Sequence, residues 1–287
     1  MTHARRKVQF VVDYETLEMK NRYMVAAVQM ETLEKPDKDK LTQQAIGAID
    51  RVCTECNVGA VCLNEWFNWE VPDKNTTKSI MESVAEPIPG PTTDQLSSLA
   101  KKHHIYLIAG TMLEKSGSKF YDSTPIIGPD GKLLGVARLS SLPNTPIKHY
   151  VGAGLSAGVL ENRTFDTDIG KIGIMIDWEV LFHDIWKTIK EEAQIIFLPA
   201  NWSARATQTL WRLVPQEGTG CYTVVANRAG WRRNVVEVGD MLYDGRSIIV
   251  NPGGQIIACT SVATYTTWEN VAVAIVDLSV TKLKDMK

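Results

Sequence analysis

Met24-Val25-Ala26-Ala27-Val28-Gln29, then apolar residues at helical spacing over Lys40 to Glu55, then Val58-Gly59-Ala60-Val61-Cys62-Leu63 read as strand, helix, strand. A helix between two neighbouring strands requires a crossover connection, so the strands run parallel and the helix covers one face of their sheet. The same alternation continues with a helix over Leu96 to His104 and a strand over Tyr106 to Met112. It resumes with Lys171 to Ile176 (strand), Asp184 to Glu192 (helix), Ile195 to Pro199 (strand), Thr207 to Glu217 (helix) and Tyr222 to Asn227 (strand). Two turn signals interrupt it. Pro129-Asp130-Gly131 separates strands Ser123 to Ile127 and Lys132 to Arg138, and Pro252-Gly253-Gly254 separates Gly245 to Asn251 from Gln255 to Thr260. A pair of such hairpins suggests a pseudo-symmetric sandwich.

The 287 residues are 44% hydrophobic and 22% charged, enough apolar surface for a sizeable core. No linker or low-complexity tract breaks the chain, so one domain over 1–287 is expected, preceded by a polar leader over 1–22. A net charge of -2 offers no basic field for phosphate backbones, which argues against nucleic acid and for a small-molecule partner. No apolar run approaches the roughly 20 residues of a membrane span, and Asp13, Glu15 and Glu18 break any secretory apolar region. The five cysteines, Cys53, Cys56, Cys62, Cys221 and Cys259, lack a disulfide framework spacing, in keeping with a reducing, cytoplasmic setting. Cys53 and Cys56 fall inside a helical stretch and read as buried helix residues rather than as a redox pair. No metal site and no nucleotide cofactor is expected, because neither clustered His, Cys and acid spacing nor a Gly-rich phosphate loop occurs.

An ordered set of short segments resembles the nitrilase, or carbon-nitrogen hydrolase, superfamily. It comprises Ala26-Ala27-Val28-Gln29, Leu63-Asn64-Glu65, Pro89-Gly90-Pro91 and Ile127-Gly128-Pro129-Asp130-Gly131-Lys132. It continues through Lys171-Ile172-Gly173-Ile174-Met175-Ile176, Asn227-Arg228-Ala229-Gly230 and Gly245 to Gly254. The resemblance implies an α/β four-layer α-β-β-α sandwich, a homodimer, and hydrolysis at nonpeptide C–N bonds through a Glu, Lys, Cys triad. In that chemistry the thiolate attacks, the Glu moves a proton and the Lys stabilises the oxyanion. Glu65 matches the family's Glu. Leu139, after Arg138, stands where the family has its Lys; Asp177 stands at the Cys; and Ile147, counted back from Tyr150, stands at a second Glu.

These departures lead to the expectation of a site that has lost Cys and Lys, in which Glu65 and Asp177 face each other and resist double ionisation. The favoured reading is then an acid-base enzyme working on a small organic substrate by hydration, elimination, isomerisation, cyclisation or water-mediated hydrolysis, without a thioester. Two others compete with it: an inactive binding or assembly protein, and a conventional amidase or nitrilase. Around the two carboxylates, Leu139, Ile147, Lys148, Trp178, His183, Asn201 and Trp202 are expected to contact substrate. Lys148, His149 and His183 are each able to replace the lost cation, with His183 favoured, while Asp184 reads as a first-turn acid of its helix. Arg232 and Arg233 read as solvated loop residues before they read as carboxylate binders.

Overall fold

The computed structural model describes residues 21–33, 37–143, 145, 148–235, 239–260 and 270–281. The first sheet is built from β1 (Arg22–Gln29), β2 (Ala60–Leu63), β3 (Tyr106–Ile108), β4 (Met112–Ser116), β5 (Lys119–Ile127) and β6 (Leu133–Arg138). The second contains β7 (Thr164–Thr167), β8 (Gly170–Ile174), β9 (Ile195–Pro199) and β10 (Tyr222–Ala226). A separate ribbon of β11 (Ala229–Val235) and β12 (Gly239–Asp244) follows, then β13 (Ile248–Val250) and β14 (Ile256–Cys259) complete the second sheet. The chain returns through β15 (Asn270–Asp277), antiparallel to β1, to close the edge of the first. Of the expected leader, residues 1–20 lie outside the described residues; Arg22 already belongs to β1, where it pairs with Asp277 at 2.8 Å.

Helices α1 (Lys38–Glu55), α2 (Lys78–Val84), α3 (Pro91–His103), α4 (Tyr150–Ala153), α5 (His183–Lys190) and α6 (Ala204–Glu217) occupy the connections. Alternation along the strands sorts the layers, since successive side chains point to opposite faces. Val25 and Ala27 of β1, Ala60 and Cys62 of β2, Ile172 and Ile174 of β8, and Ile195 and Phe197 of β9 meet in one core between the sheets. Their neighbours Ala26, Val28, Val61 and Leu63 instead pack under Ala45, Ile49 and Val52 of α1 and Leu96 and Ala100 of α3. Ile196, Leu198 and Val225 pack under Ile185, Trp186 and Ile189 of α5 and Leu210 and Val214 of α6. The order helix, sheet, sheet, helix is the expected four-layer sandwich. Both predicted hairpins form, one on each sheet.

The run Tyr106 to Met112 is two strands rather than one, because Gly110 sits at φ +57 and a Cβ there would fall 2.2 Å from the Asn64 carbonyl. Only glycine tolerates both the left-handed backbone and that close approach. The break directs Thr111 toward the end of β2. In each sheet three neighbouring strands run parallel: β1, β2 and β3 in one, and β8, β9 and β10 in the other. Their carboxyl ends open on the same region, the place where parallel α/β sheets present ligand sites. No helix among the described residues is long and apolar enough to cross a membrane.

Candidate active site

Glu65 lies two residues beyond β2. Its own N–H donates to Ala200 O just after β9 at 3.2 Å, and its carbonyl accepts from Asn64 Nδ2 at 2.7 Å, so the residue is fixed to both sheets. Trp66 then turns the chain away at φ +55, with its N–H held by Thr111 Oγ1 at 2.9 Å. Asp177 has the matching place in the other sheet, after β8, and it too is left-handed, at φ +39. A non-glycine residue held there is strained, a feature that clusters at functional sites.

The strain at Asp177 is supported by Glu179 on the 3₁₀ turn Asp177–Leu181. Its carboxylate accepts from Ile176 N (2.8 Å), Ser140 N (2.8 Å), Ser140 Oγ (2.6 Å) and both Arg163 Nη atoms (3.1 and 2.7 Å). Every lone pair finds a donor, so the buried charge is fully compensated and the turn is pinned to the segment after β6.

Between the two strand ends stands Lys148. Its Nζ donates to Glu65 Oε2 at 3.0 Å and to Asp177 Oδ2, while Asp177 Oδ1 accepts from Asn201 N at 2.9 Å. Tyr150, opening α4, donates its hydroxyl to Glu65 Oε1 at 3.0 Å and accepts from Trp66 Nε1 at 2.7 Å. Glu65 and Asp177 are fully buried and Lys148 is 6% exposed. Burial works against the Lys148 charge, but the carboxylates of Asp177 and Glu65 outweigh it and hold the ammonium above the ordinary lysine range. Glu65 is pushed well above the usual carboxylate range by burial and by the negative charge of Asp177, with Lys148 opposing. Tyr150 is likewise raised, by burial and then by the Glu65 charge. The arrangement offers a cation at the meeting point of two carboxyls, which can stabilise a developing oxyanion beside a group able to give and take a proton.

Several expectations change. The site does not lack an ammonium: Lys148, drawn from the loop before α4 rather than from the strand before Leu139, supplies it. Leu139 is buried in the core between the sheets, donating its N–H to Asp122 O at 2.8 Å, so it is packing rather than a polar contact. His183 is exposed at the start of α5 and faces Glu217 Oε2 of α6 at 3.0 Å, which removes it from the carboxylate pair. His149 donates its backbone N–H to Pro72 O at 2.9 Å. Trp202 packs in the outer core beneath α5 and α6, although its N–H, held by Asn227 Oδ1 at 2.8 Å, ties it to the same end of the sheet. Trp178 is half-buried on the turn, and Asn201 is buried against Asp177. Ile147 lies outside the described residues.

Arg232 is not solvated; it pairs with Asp73 at 2.9 Å and Glu70 at 3.4 Å, beside the fully buried Arg228 on Glu70 at 2.8 Å. Arg233 is the exposed one of the pair, on Asp240 at 2.6 Å and over the Trp231 ring. Cys62 is buried in β2, with its thiol raised by burial; Cys53 is half-buried on α1 and pushed up to about 12 by burial and the charge of Asp50. Cys221 is buried at the start of β10, whereas Cys259 is exposed on β14.

Sequence reasoning missed Tyr150, Thr111 and Asp122. For Asp122 a signal existed. Phe120 and Ile126 of β5 point between the sheets, so Asp122 and Thr124, in the same phase, must point there too. An acid in the inward phase of an apolar strand needs a polar partner.

Comparison with known proteins places this geometry in context. The carbon-nitrogen hydrolase family model matches residues 24–284. The omega-amidase NIT2 of Xenopus tropicalis is 30% identical over 203 residues, covering 69% of this chain and 71% of that one. The omega-amidase NIT2 of Danio rerio is 27% identical over 62% of this chain, and the match spans 65% of that relative, just under two thirds of its length. A bifunctional nitrilase/nitrile hydratase, NIT4A of Lupinus angustifolius, is 28% identical over 61% of this chain and 53% of its own. Among solved structures, Nit3 of Saccharomyces cerevisiae superimposes with a TM-score of 0.75 at 25% identity, covering 92% and 93% of the two chains. These relatives overturn the expectation of an acid-base site reprogrammed for hydration, elimination, isomerisation, cyclisation or water-mediated hydrolysis. Their names are those of amidases and nitrilases, which agree with the conventional C–N hydrolase reading instead.

Proposed function

The chain belongs to the carbon-nitrogen hydrolase family, and from that premise we propose that it hydrolyses the terminal amide of a small molecule at Glu65, Lys148 and Asp177. The observation that carries the reading is the Lys148 ammonium, buried and hydrogen-bonded to both carboxyls at the facing ends of β2 and β8. Two of its three hydrogens are engaged there, which leaves one to bond an amide oxygen in this reading.

In this reading Asp177, in the strained turn, takes the attacking position. One of its oxygens adds to the amide carbon, and Lys148 stabilises the oxyanion that forms. Glu65 protonates the nitrogen as the C–N bond breaks, releasing ammonia and leaving an acyl group on the Asp177 carboxyl. Water, giving a proton back to Glu65, then cleaves that anhydride and frees the acid product and Asp177. In this reading the attacking group is a carboxylate rather than a thiolate, because residue 177 is Asp.

The test is ammonia release from a panel of small terminal amides by the wild-type protein, by Asp177→Asn and by protein alkylated at its thiols. Hydrolysis that survives alkylation and is lost in Asp177→Asn supports the reading. Inactivation by alkylation would overturn the role of Asp177, and a panel left intact by folded protein would overturn amide hydrolysis.

A further inference from the structure

Three buried carboxylates surround a single buried ammonium. Glu65, Asp177 and Asp122 are each fully buried, and Lys148 donates to the first two only. No hydrogen bond of ordinary geometry reaches either oxygen of Asp122. The groups lying against its carboxyl are the Thr111 hydroxyl and the carboxyl of Glu65, with Lys148 and Asp177 acting from further off. Thr111 already accepts the N–H of Trp66 at 2.9 Å. On the opposite side Glu65 is approached by Tyr150 and Lys148, both donating to it.

A fully buried carboxylate with no donor nearer than the single Thr111 hydroxyl is a costly arrangement in a protein interior. One proton resolves it: a carboxyl can donate to a neighbouring carboxylate only when one of the two is protonated. We propose that Asp122 is a positioning residue for Glu65, the two side chains sharing one proton that Glu65 carries and Asp122 accepts. The electrostatics agree in direction. Burial raises both groups, Asp122 to about 7 and Glu65 well beyond the usual carboxylate range, and their contact raises Glu65 while lowering Asp122. The proton therefore resides on Glu65. Glu65 then enters the reaction as a neutral acid, ready to protonate the departing nitrogen, and Lys148 faces the two remaining charges of Asp177 and Asp122 rather than three. That catalytic consequence rests on the amide-hydrolysis reading; the shared proton does not.

Isotope-edited infrared spectroscopy on substrate-free protein tests the proton directly. With glutamate carboxyls carbon-13 labelled, a protonated-carboxyl band that shifts with the label and persists at neutral pH is expected in wild type. Glu65→Gln should abolish it while leaving the unfolding temperature near that of wild type, because the amide still donates to Asp122. Asp122→Asn removes the acceptor and one negative charge, so the band should titrate away at lower pH, and the alkaline limb of amide hydrolysis should move down with it. A wild-type protein without the band at neutral pH overturns the proposal, as does an Asp122→Asn protein in which it titrates unchanged. Should no amide be cleaved, the infrared result still decides the shared proton, so the two readings fail separately.

Discussion

Two buried clusters of charge meet at the turn Asp177–Leu181 after β8, and they are composed differently. Around Glu179, one carboxylate meets five donors from Arg163, Ser140 and Ile176. Around Glu65, three carboxyls gather about one ammonium and one phenol, which donate to Glu65 and Asp177 only. The Glu179 carboxylate of the first cluster is saturated with donors, and it serves to hold the turn that carries Asp177. The second is short of donors, so its protons are movable. Saturation marks scaffold and deficit marks chemistry, because only an underpaired group exchanges a proton without first breaking a structural contact.

The largest effect on stability should come from the saturated cluster. Arg163→Met leaves Glu179 buried without its cation, and breaking such a pair costs about 3 to 5 kcal/mol; urea unfolding at neutral pH measures it, and a loss under about 1 kcal/mol would undo the contrast. Next comes Lys148→Met. Removing an oxyanion partner typically costs about 10² to 10³ in rate, so amide turnover should fall by that order. The fold should survive best at acid pH, where the carboxyls orphaned by the substitution take up protons, and steady-state kinetics with parallel thermal melts separate the two consequences.

Asp122 gives a smaller effect with a definite sign. Its carboxyl is at about 7 in the folded protein and near 3.9 when unfolded. Between those values the coupled Glu65 and Asp122 carboxyls of the native state hold more protons than the unfolded chain, so stability falls as pH rises through the window. Asp122→Asn should flatten that part of the stability curve, and an unchanged slope between the two proteins would refute the assignment. Smallest of all is Arg233→Ala. The ion pair with Asp240 is close to half exposed on both sides, and solvent screens pairs of that kind; a melt indistinguishable from that of wild type is the expected reading.

The layers of this protein were readable because they depend on local rules. Alternation in β1, β2 and β9 sorts side chains between an inner and an outer core, and Pro129-Asp130-Gly131 and Pro252-Gly253-Gly254 turn the chain wherever they occur. Glu65 and Asp177 were legible through the resemblance, as the residues standing at the family's Glu and Cys positions after their strands. The identity of the cation was not. His183 is nearer to Asp177 in sequence, yet α5 carries it outward to Glu217, while Lys148, 29 residues away, returns through the loop before α4 to bond it. Asp122 was overlooked because it lies in the middle of a strand rather than at its end.

The sequence by itself determined the alternation of strands and helices and the two hairpins, since periodicity and turn chemistry act over a few residues, and its resemblance to the family supplied the four layers and the two strand-end acids. Only the tertiary structure decided that Lys148 neutralises those acids, that Arg232 is clamped on Glu70 and Asp73, and that Asp122 joins Glu65 without a donor of its own. Each of these is a matter of which charges share one small volume inside the protein. Coulomb energy and desolvation depend on distance and burial in the folded chain, and neither is encoded in the spacing of residues along it.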